Sequence, residues 1–306
     1  MKCLSSGCDP ERTLIIARTE LIRMQFVRFS HMGGTAGYGI KIDETVYPLK
    51  EAPSGEPDLV DIGTSSYREA MREATEQGAF SEIPVSDVRL LAPVPRPGKI
   101  VCVGLNYFDH ADEQDEDPPE EPLLFGKAPT CVTNPGAPII HPTDEKVDYE
   151  AELAVIIGRH TQDISKAAAP EYIAGYTALN DVSGRAAQIG DDQFFRGKSY
   201  DTFAPMGPTL VAGDEFDPNA VDVTTRVNGH IKQSSNTEQF VFDVYELVEY
   251  ISQNMTLRPG DVISTGTPGG VGIFRDPPEL LTPGDTVAVE IEGIGTLRNP
   301  VVDGSN

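Results

Sequence analysis

Cysteine is scarce in this 306-residue chain, with only Cys3, Cys8, Cys102 and Cys131. Their spacing matches neither a zinc site nor a CxxC redox pair, and so few thiols argue against a disulfide framework and fit a reducing cytoplasm. Cys102 stands in the apolar run Ile100–Val103 and reads as a buried small hydrophobe. Long apolar runs are missing as well, since none approaches the roughly 18 residues of a membrane span. Bases are outnumbered, 24 Lys and Arg against 48 Asp and Glu, for a formal net charge of −24. That field repels nucleic acid and anionic membrane surfaces, so neither is expected as a partner. It also repels an anionic substrate, which would need a local cation to bind. The acids are spread along the whole chain and read as a solvated surface. A salt-loving source would explain such a surface, because strong brine screens the repulsion over about 3 Å.

What is present is enough for a packed core: 39% hydrophobic residues against 24% charged. The 29 Gly and 25 Pro predict many turns and short strands rather than a helical bundle. Residues 1–23 carry no signal-peptide pattern, because Asp9, Glu11, Arg12, Arg18, Glu20 and Arg23 interrupt any apolar stretch. Strand-like text begins at Met24, which reads as the natural start, with 1–23 a non-native or disordered leader; a helix over Leu14–Ile22 is the alternative. Residues 24–96 form a small N-terminal α+β domain, with strands at Gln25–Phe29, Gly37–Ile42 and Glu44–Pro48 and a helix near Ser66–Gln77. The proline-studded segment Leu91–Gly98 is an extended linker. Residues 97–306 then form the larger domain, of class α+β but mainly β, built on a curled mixed or antiparallel sheet. Its expected strands are Lys99–Gly104, Tyr149–Gly158, Ala174–Asn180, Asp261–Thr265, Thr286–Ile291 and Gly295–Leu297. Short helices are expected within Asn106–Glu116 and near Gly184–Gly190, and a mobile loop at Asp115–Pro122. Asn228-Gly229 marks a hairpin within Val223–Gln233, and Asp243–Asn254 an amphipathic helix.

The chemistry gathers at Val147-Asp148-Tyr149-Glu150-Ala151-Glu152-Leu153-Ala154-Val155-Ile156-Ile157. Read as a strand, it puts Glu150 and Glu152 on one face, about 7 Å apart, at the mouth of a core. Two carboxylates there repel each other unless something positive sits between them. A hard divalent cation is one solution, since Mg²⁺ and Mn²⁺ prefer oxygen ligands; a solvated edge with two exposed acids is the other. Asp181 ends the apolar run Ala174–Leu179, where it can cap the following helix, bind the same ion, or do both through different oxygens. Three carboxylates leave an octahedral ion three positions for water and substrate. His110 and Glu113 are i, i+3, on one face of a helix, where the carboxylate would hold the imidazole tautomer and raise its basicity. A surface His with an incidental acid fits the same spacing. Lys198 is either an ordinary surface Lys or a cation for the site. Arg185 and Gln188 follow Asp181 by four and seven residues and share one helix face. Tyr107 reads equally as a substrate contact and as a core aromatic.

Several strings together resemble the fumarylacetoacetate hydrolase family, in family order over residues 97–302. They are Val147-Asp148-Tyr149-Glu150-Ala151-Glu152, Asn180-Asp181-Val182-Ser183 and Lys198-Ser199-Tyr200-Asp201-Thr202-Phe203, then Asn228-Gly229 with Gln233-Ser234-Ser235-Asn236-Thr237, and Gly260-Asp261-Val262-Ile263-Ser264-Thr265-Gly266-Thr267-Pro268. The resemblance implies that Glu150, Glu152 and Asp181 hold Mg²⁺ or Mn²⁺, with Ca²⁺ an occupant in crystals. The further upstream acid of the archetypal fumarylacetoacetase has no clear equivalent. It also implies that His110 and Glu113 ride on a lid helix, hinged at Pro118 and Pro119, and activate a water. Lys198 would stand near a developing enolate oxygen, Arg185 and Gln188 would orient the substrate, and Thr267 would bind its carboxylate. The expected activity is hydrolysis of a C–C bond in an acylpyruvate or related 1,3-dicarbonyl 2-oxo acid, through a metal-stabilised enolate. Dehydration of a 2-keto-3-deoxy sugar acid, decarboxylation of oxaloacetate and isomerisation of a hydroxymuconate-type diacid share that intermediate and stay open. A silent, metal-stabilised metabolite-binding scaffold is the non-enzyme alternative. Family resemblance further implies a homodimer.

Overall fold

The computed structural model describes residues 24–31, 34–49 and 64–304. The expected leader at 1–23, and the helix weighed for it, lie outside the described residues. The N-terminal unit comprises strands β1 (Gln25–His31), β2 (Ala36–Ile42) and β3 (Thr45–Pro48), helix α1 (Ser65–Glu76), and strands β4 (Ile83–Pro84) and β5 (Val88–Leu91). Val27, Phe29 and Val46 pack together beneath it.

Beyond the proline segment come β6 (Ile100–Gly104), helix α2 (Phe108–Glu113), β7 (Leu123–Lys127), β8 (Val132–Thr133), β9 (Ile139–His141) and β10 (Val147–Asp148). The central pair β11 (Ala151–Ile157) and β12 (Ile173–Asn180) leads to β13 (Ser183–Gly184) and the short helices α3 (Arg185–Gly190) and α4 (Phe195–Lys198). The chain closes with β14 (Ala204–Ala212), β15 (Asp222–Val227), β16 (His230–Asn236), helix α5 (Val244–Asn254), β17 (Val262–Ser264), β18 (Thr286–Ile291) and β19 (Gly295–Asp303).

A twelve-stranded sheet runs β4-β3-β2-β1-β14-β12-β11-β17-β6-β7, with β5 on β1 and β8 on β14; a five-stranded sheet runs β16-β15-β18-β19-β9. Pairing is antiparallel except for β17 with β6, β14 with β8 and β19 with β9. The class is therefore α+β and mainly β. The large sheet does not stop at the linker, because β1 pairs with β14 through Gln25↔Val211 and Phe26↔Leu210. Between the two sheets and α5, Leu153, Val155 and Tyr176 pack against Val223, Val289, Leu247 and Val248. Every residue of β11 is buried, as expected of a strand covered on both faces. Its alternation puts Glu152 on the face of Ala154 and Ile156, away from α5.

Two local expectations need correction. The strand expected from Tyr149 begins only at Ala151, because side chains take the preceding backbone donors. Tyr149 N–H donates to Asp148 Oδ1 (2.9 Å) and Glu150 N–H to Asn180 Oδ1 (3.1 Å). Glu150 thus sits in a break between β10 and β11, not in one strand with Glu152. Asp181 caps no helix: the N-cap of α3 is Gly184, without a side-chain bond. The exposed donors of that helix go instead to Glu145, which accepts from Ala186 N–H (2.7 Å) and Ala187 N–H (3.3 Å).

The Asn228-Gly229 turn joins β15 to β16 with both residues at positive φ, 51° and 83°, the geometry that favours Asn-Gly in two-residue hairpins. Asp243 and Glu246 form a capping box at the start of α5. Asp243→Ala should therefore lower the unfolding free energy by about 0.5–2 kcal/mol, measured by urea denaturation of the metal-free protein.

Candidate active site

The register of the central sheet brings the three acids together. Ala151 pairs with Asn180, so Glu152 at the start of β11 lies beside the end of β12, from which Asp181 emerges. Asp181 N–H donates to the Glu150 carbonyl (2.9 Å), which closes the group. Each of Glu150, Glu152 and Asp181 offers a carboxylate oxygen within 4.8 Å of the others. All three are buried, Asp181 completely.

The chain places its own cations around them. Lys198 Nζ bridges Glu150 Oε2 (2.7 Å) and Asp181 Oδ2 (2.8 Å), and Lys127 Nζ meets Asp181 Oδ1 (2.5 Å) and the Val182 carbonyl (3.1 Å). Arg185 reaches Glu150 Oε1 (2.7 Å), Asp148 Oδ2 (2.9 Å) and Gln188 Oε1 (2.8 Å). Among the described residues, Glu152 receives only neutral donors, the Ser264 hydroxyl and the Gly266 N–H (2.9 Å). The acidities follow. Burial pushes the Glu150 carboxyl up, but Lys198 and Arg185 outweigh it and bring it down to about 2. Burial, and then the charges of Asp181 and Glu150, push Glu152 up to about 8. Four buried acids, Asp148, Glu150, Glu152 and Asp181, thus face three buried bases, Lys127, Arg185 and Lys198. The unmatched acid is Glu152, one of the clustered three. An all-oxygen set with an unbalanced carboxylate fits a hard divalent cation.

His110 stands across from this cluster on α2, 7% exposed. Its Nδ1 lies 3.1 Å from Glu113 Oε2, and its Nε2 accepts from the Gln114 amide at 3.0 Å. The same amide reaches the His110 carbonyl at 3.5 Å, an acceptor only, which orients the NH₂ group toward the ring. A carboxylate, which only accepts, beside Nδ1 favours the tautomer with the proton on Nδ1 and the lone pair on Nε2. The Phe274 ring packs edge-on against the imidazole, centroids 5.8 Å apart. The segment after α2, including Pro118 and Pro119, forms neither helix nor strand.

One cavity of about 250 Å³ is lined by His110, Glu150, Glu152, Arg185, Gln188, Lys198 and Thr267, with an apolar wall of Leu105, Leu123, Phe125, Phe194 and Phe274. Glu113 and Asp181 are not wall residues; Glu113 touches His110, and Asp181 touches Lys198, both on the wall. The Thr267 hydroxyl donates to the Ala151 carbonyl (3.0 Å) and accepts from Gln233 Nε2 (2.8 Å). Tyr107 is core: it is fully buried and stacked edge-on against Phe240, 4.8 Å between centroids. That burial removes it from the expected substrate contacts. Sequence reasoning passed over Lys127, Asp148, Gln114 and Ser264. A Lys closing the apolar run Leu123–Phe125 in so acidic a chain was the available signal for Lys127. Asp148 lay within the acidic motif itself.

The family described as fumarylacetoacetate (FAA) hydrolase C-terminal matches residues 99–302, and one described as Rv2993c-like, N-terminal matches residues 24–93. A mitochondrial oxaloacetate tautomerase of Rattus norvegicus is 47% identical over 298 residues, 96% of this chain and 94% of that protein. Among solved structures, the fumarylacetoacetate hydrolase of psychrophilic Exiguobacterium antarcticum is 39% identical, with TM-score 0.80 over 92% of this chain and 99% of the other. The maleylpyruvate hydrolase of Sphingobium sp. SYK-6, in complex with manganese(II) and pyruvate, is 28% identical, with TM-score 0.76 over 92% and 100% of the two chains. With two thirds of its length matched to the family domain and a relative this similar along nearly its whole length, the chain belongs to the fumarylacetoacetate hydrolase family.

Proposed function

We propose that the protein is a divalent-metal-dependent enzyme that moves a proton on a small, enolisable 2-oxo acid, interconverting the keto and enol forms of an oxaloacetate-like substrate. The observation that carries this reading is the single cavity shared by a carboxylate-oriented imidazole and an acid cluster short of one positive charge. Mg²⁺ or Mn²⁺ held by Glu150, Glu152 and Asp181 would supply a Lewis acid for the ketone oxygen. The side chains do the rest. His110 Nε2, with the Nδ1 side turned to Glu113 and the Gln114 contact exchanged for substrate, would take a proton from the carbon next to the ketone while the ketone oxygen takes one from water to become the enol hydroxyl; ketonisation runs both transfers in reverse. Lys198 offsets negative charge growing on the oxygen. Gln188 and Arg185, the latter held by Asp148 and Glu150, present fixed donors to a carboxylate. The cavity suits a small acid, and its phenylalanine wall limits water.

The relative named as an oxaloacetate tautomerase favours proton transfer over the C–C hydrolysis that the sequence alone suggests. Hydrolysis of an acylpyruvate is the second reading, supported by the pyruvate complex of the maleylpyruvate hydrolase; His110 would then activate a water instead of a carbon acid. The purified protein with Mn²⁺ or Mg²⁺ should hasten ketonisation of enol-oxaloacetate above the spontaneous rate and release no pyruvate from acetylpyruvate. Pyruvate release without faster ketonisation would transfer the assignment to the hydrolase reading.

A further inference from the structure

Helix α2 has six residues and no side-chain N-cap. A helix that short is not stable by itself, so its place over the acid cluster comes from outside contacts. Two of its acids supply polar ones. Asp109 and Glu113 are i, i+4 and share a face on which like charges repel, yet both turn to the same partner, the loop after Thr267. Asp109 Oδ1 accepts from Gly269 N–H (3.1 Å), and Glu113 Oε1 accepts from the next donor, Gly270 N–H (2.8 Å). Asp109 Oδ2 also takes the Ser235 hydroxyl, which fastens the helix to β16. The approach is too close for side chains on the loop. A Cβ on Gly269 would lie 3.0 Å from the Asp109 carbonyl, and one on Gly270, at φ +102°, would overlap the Lys232 carbonyl. Glu113 bonds His110 directly, whereas Asp109 touches neither the cavity's acids nor the imidazole.

We infer that Asp109 is a positioning residue: its bonds to Ser235 and Gly269 clamp α2 and so fix His110 at its distance from the carboxylate cluster. The inference rests on His110 being the base proposed above. Misplacing a catalytic group by about 1 Å costs up to roughly 100-fold in rate, so one carboxylate behind the helix is enough to govern turnover.

The test compares Asp109→Ala and Asp109→Asn in the metal-loaded full chain. In Asp109→Ala, amide exchange over residues 108–116 should rise at least about 10-fold while exchange around Glu150 and Glu152 stays as in the natural protein. Its kcat for enol-oxaloacetate should fall about 10–100-fold with KM and Mn²⁺ affinity held. Asp109→Asn keeps an acceptor for Gly269 N–H and should recover most of the loss. Added to His110→Ala, Asp109→Ala should cost nothing more, because the clamp acts only through the imidazole. Unchanged exchange over 108–116, or losses that multiply in the double variant, would overturn the inference. So would a loss of metal affinity equal to the loss of rate. Raised exchange in a protein whose natural form turns over no 2-oxo acid would uphold the clamp and sink the proposed reaction instead.

Discussion

Glu152→Gln should cost the protein its divalent cation and its turnover together, yet leave the metal-free fold firmer than the natural chain at pH 9. Among the described residues, no cationic side chain bonds Glu152, and its carboxyl is pushed up to about 8, first by burial and then by the charges of Asp181 and Glu150. The sign follows from linkage. In the metal-free protein, the unfolded chain releases this proton near the ordinary Glu value of 4.5, while the folded chain keeps it until about pH 8. Between those values the natural fold loses stability as pH rises, and above pH 8 the loss is complete. Each pH unit across that window is worth about 1.4 kcal/mol, so the loss amounts to a few kcal/mol. Gln mimics the protonated acid, so the variant escapes the loss. Urea midpoints of the two metal-free proteins should coincide near pH 4 and separate progressively toward pH 9. Metal binding runs the other way: it requires the carboxylate, releases a proton, and strengthens as pH rises through 8. Changing an outer partner of a metal ligand costs about 10–100-fold in affinity, and losing a ligand itself should cost more. Calorimetry with Mn²⁺ reads both the affinity and the proton. Equal Mn²⁺ affinity in Glu152→Gln and the natural chain would remove Glu152 from the ligand set.

The parts of this site that a reader of the sequence can find are those whose signals are local. Helix α5 shows itself through Val244, Leu247, Val248 and Ile251 at helical spacing, all buried in the structure. The Asn228-Gly229 hairpin and strand β18 appear where turn chemistry and alternation place them. Glu150, Glu152 and Asp181 could be paired because two apolar runs each end in acids, and adjacent core strands bring such ends together.

What stayed hidden depends on partners distant in sequence. Lys127 and Asp181 are 54 residues apart and meet only because β7 and β12 lie in one sheet. Glu150 leaves the strand because an Asn180 side chain replaces a ladder partner, and Asp181 is released from capping because Glu145 does that work from another segment. Pattern reading counts charges without pairing them. It therefore called for a positive group between the acids without foreseeing that three buried bases would surround them and still leave Glu152 unmatched. The N-terminal strands read correctly as strands, but nothing local in Gln25–His31 announces that β14 will be their neighbour.

His110→Ala should lower turnover by about 10²–10⁴-fold while leaving Mn²⁺ affinity and thermal stability close to those of the natural protein. The separation follows from geometry. The imidazole bonds Glu113 and Gln114 and none of the three clustered acids, so its removal leaves the carboxylates, Lys127, Lys198 and Arg185 in place. A ligand-set variant loses metal and rate together, whereas this one should lose rate alone. The carboxylate partner grades the effect. Glu113→Gln keeps a hydrogen-bond acceptor for Nδ1–H but removes the charge that stabilises the imidazolium. It should therefore slow turnover less than His110→Ala. Ketonisation of enol-oxaloacetate at saturating Mn²⁺, followed from pH 5 to 9, measures all three proteins. Full activity in His110→Ala would mean that the proton moves through another group on the cavity wall, and α2 would then be a cover over the site without a part in the chemistry.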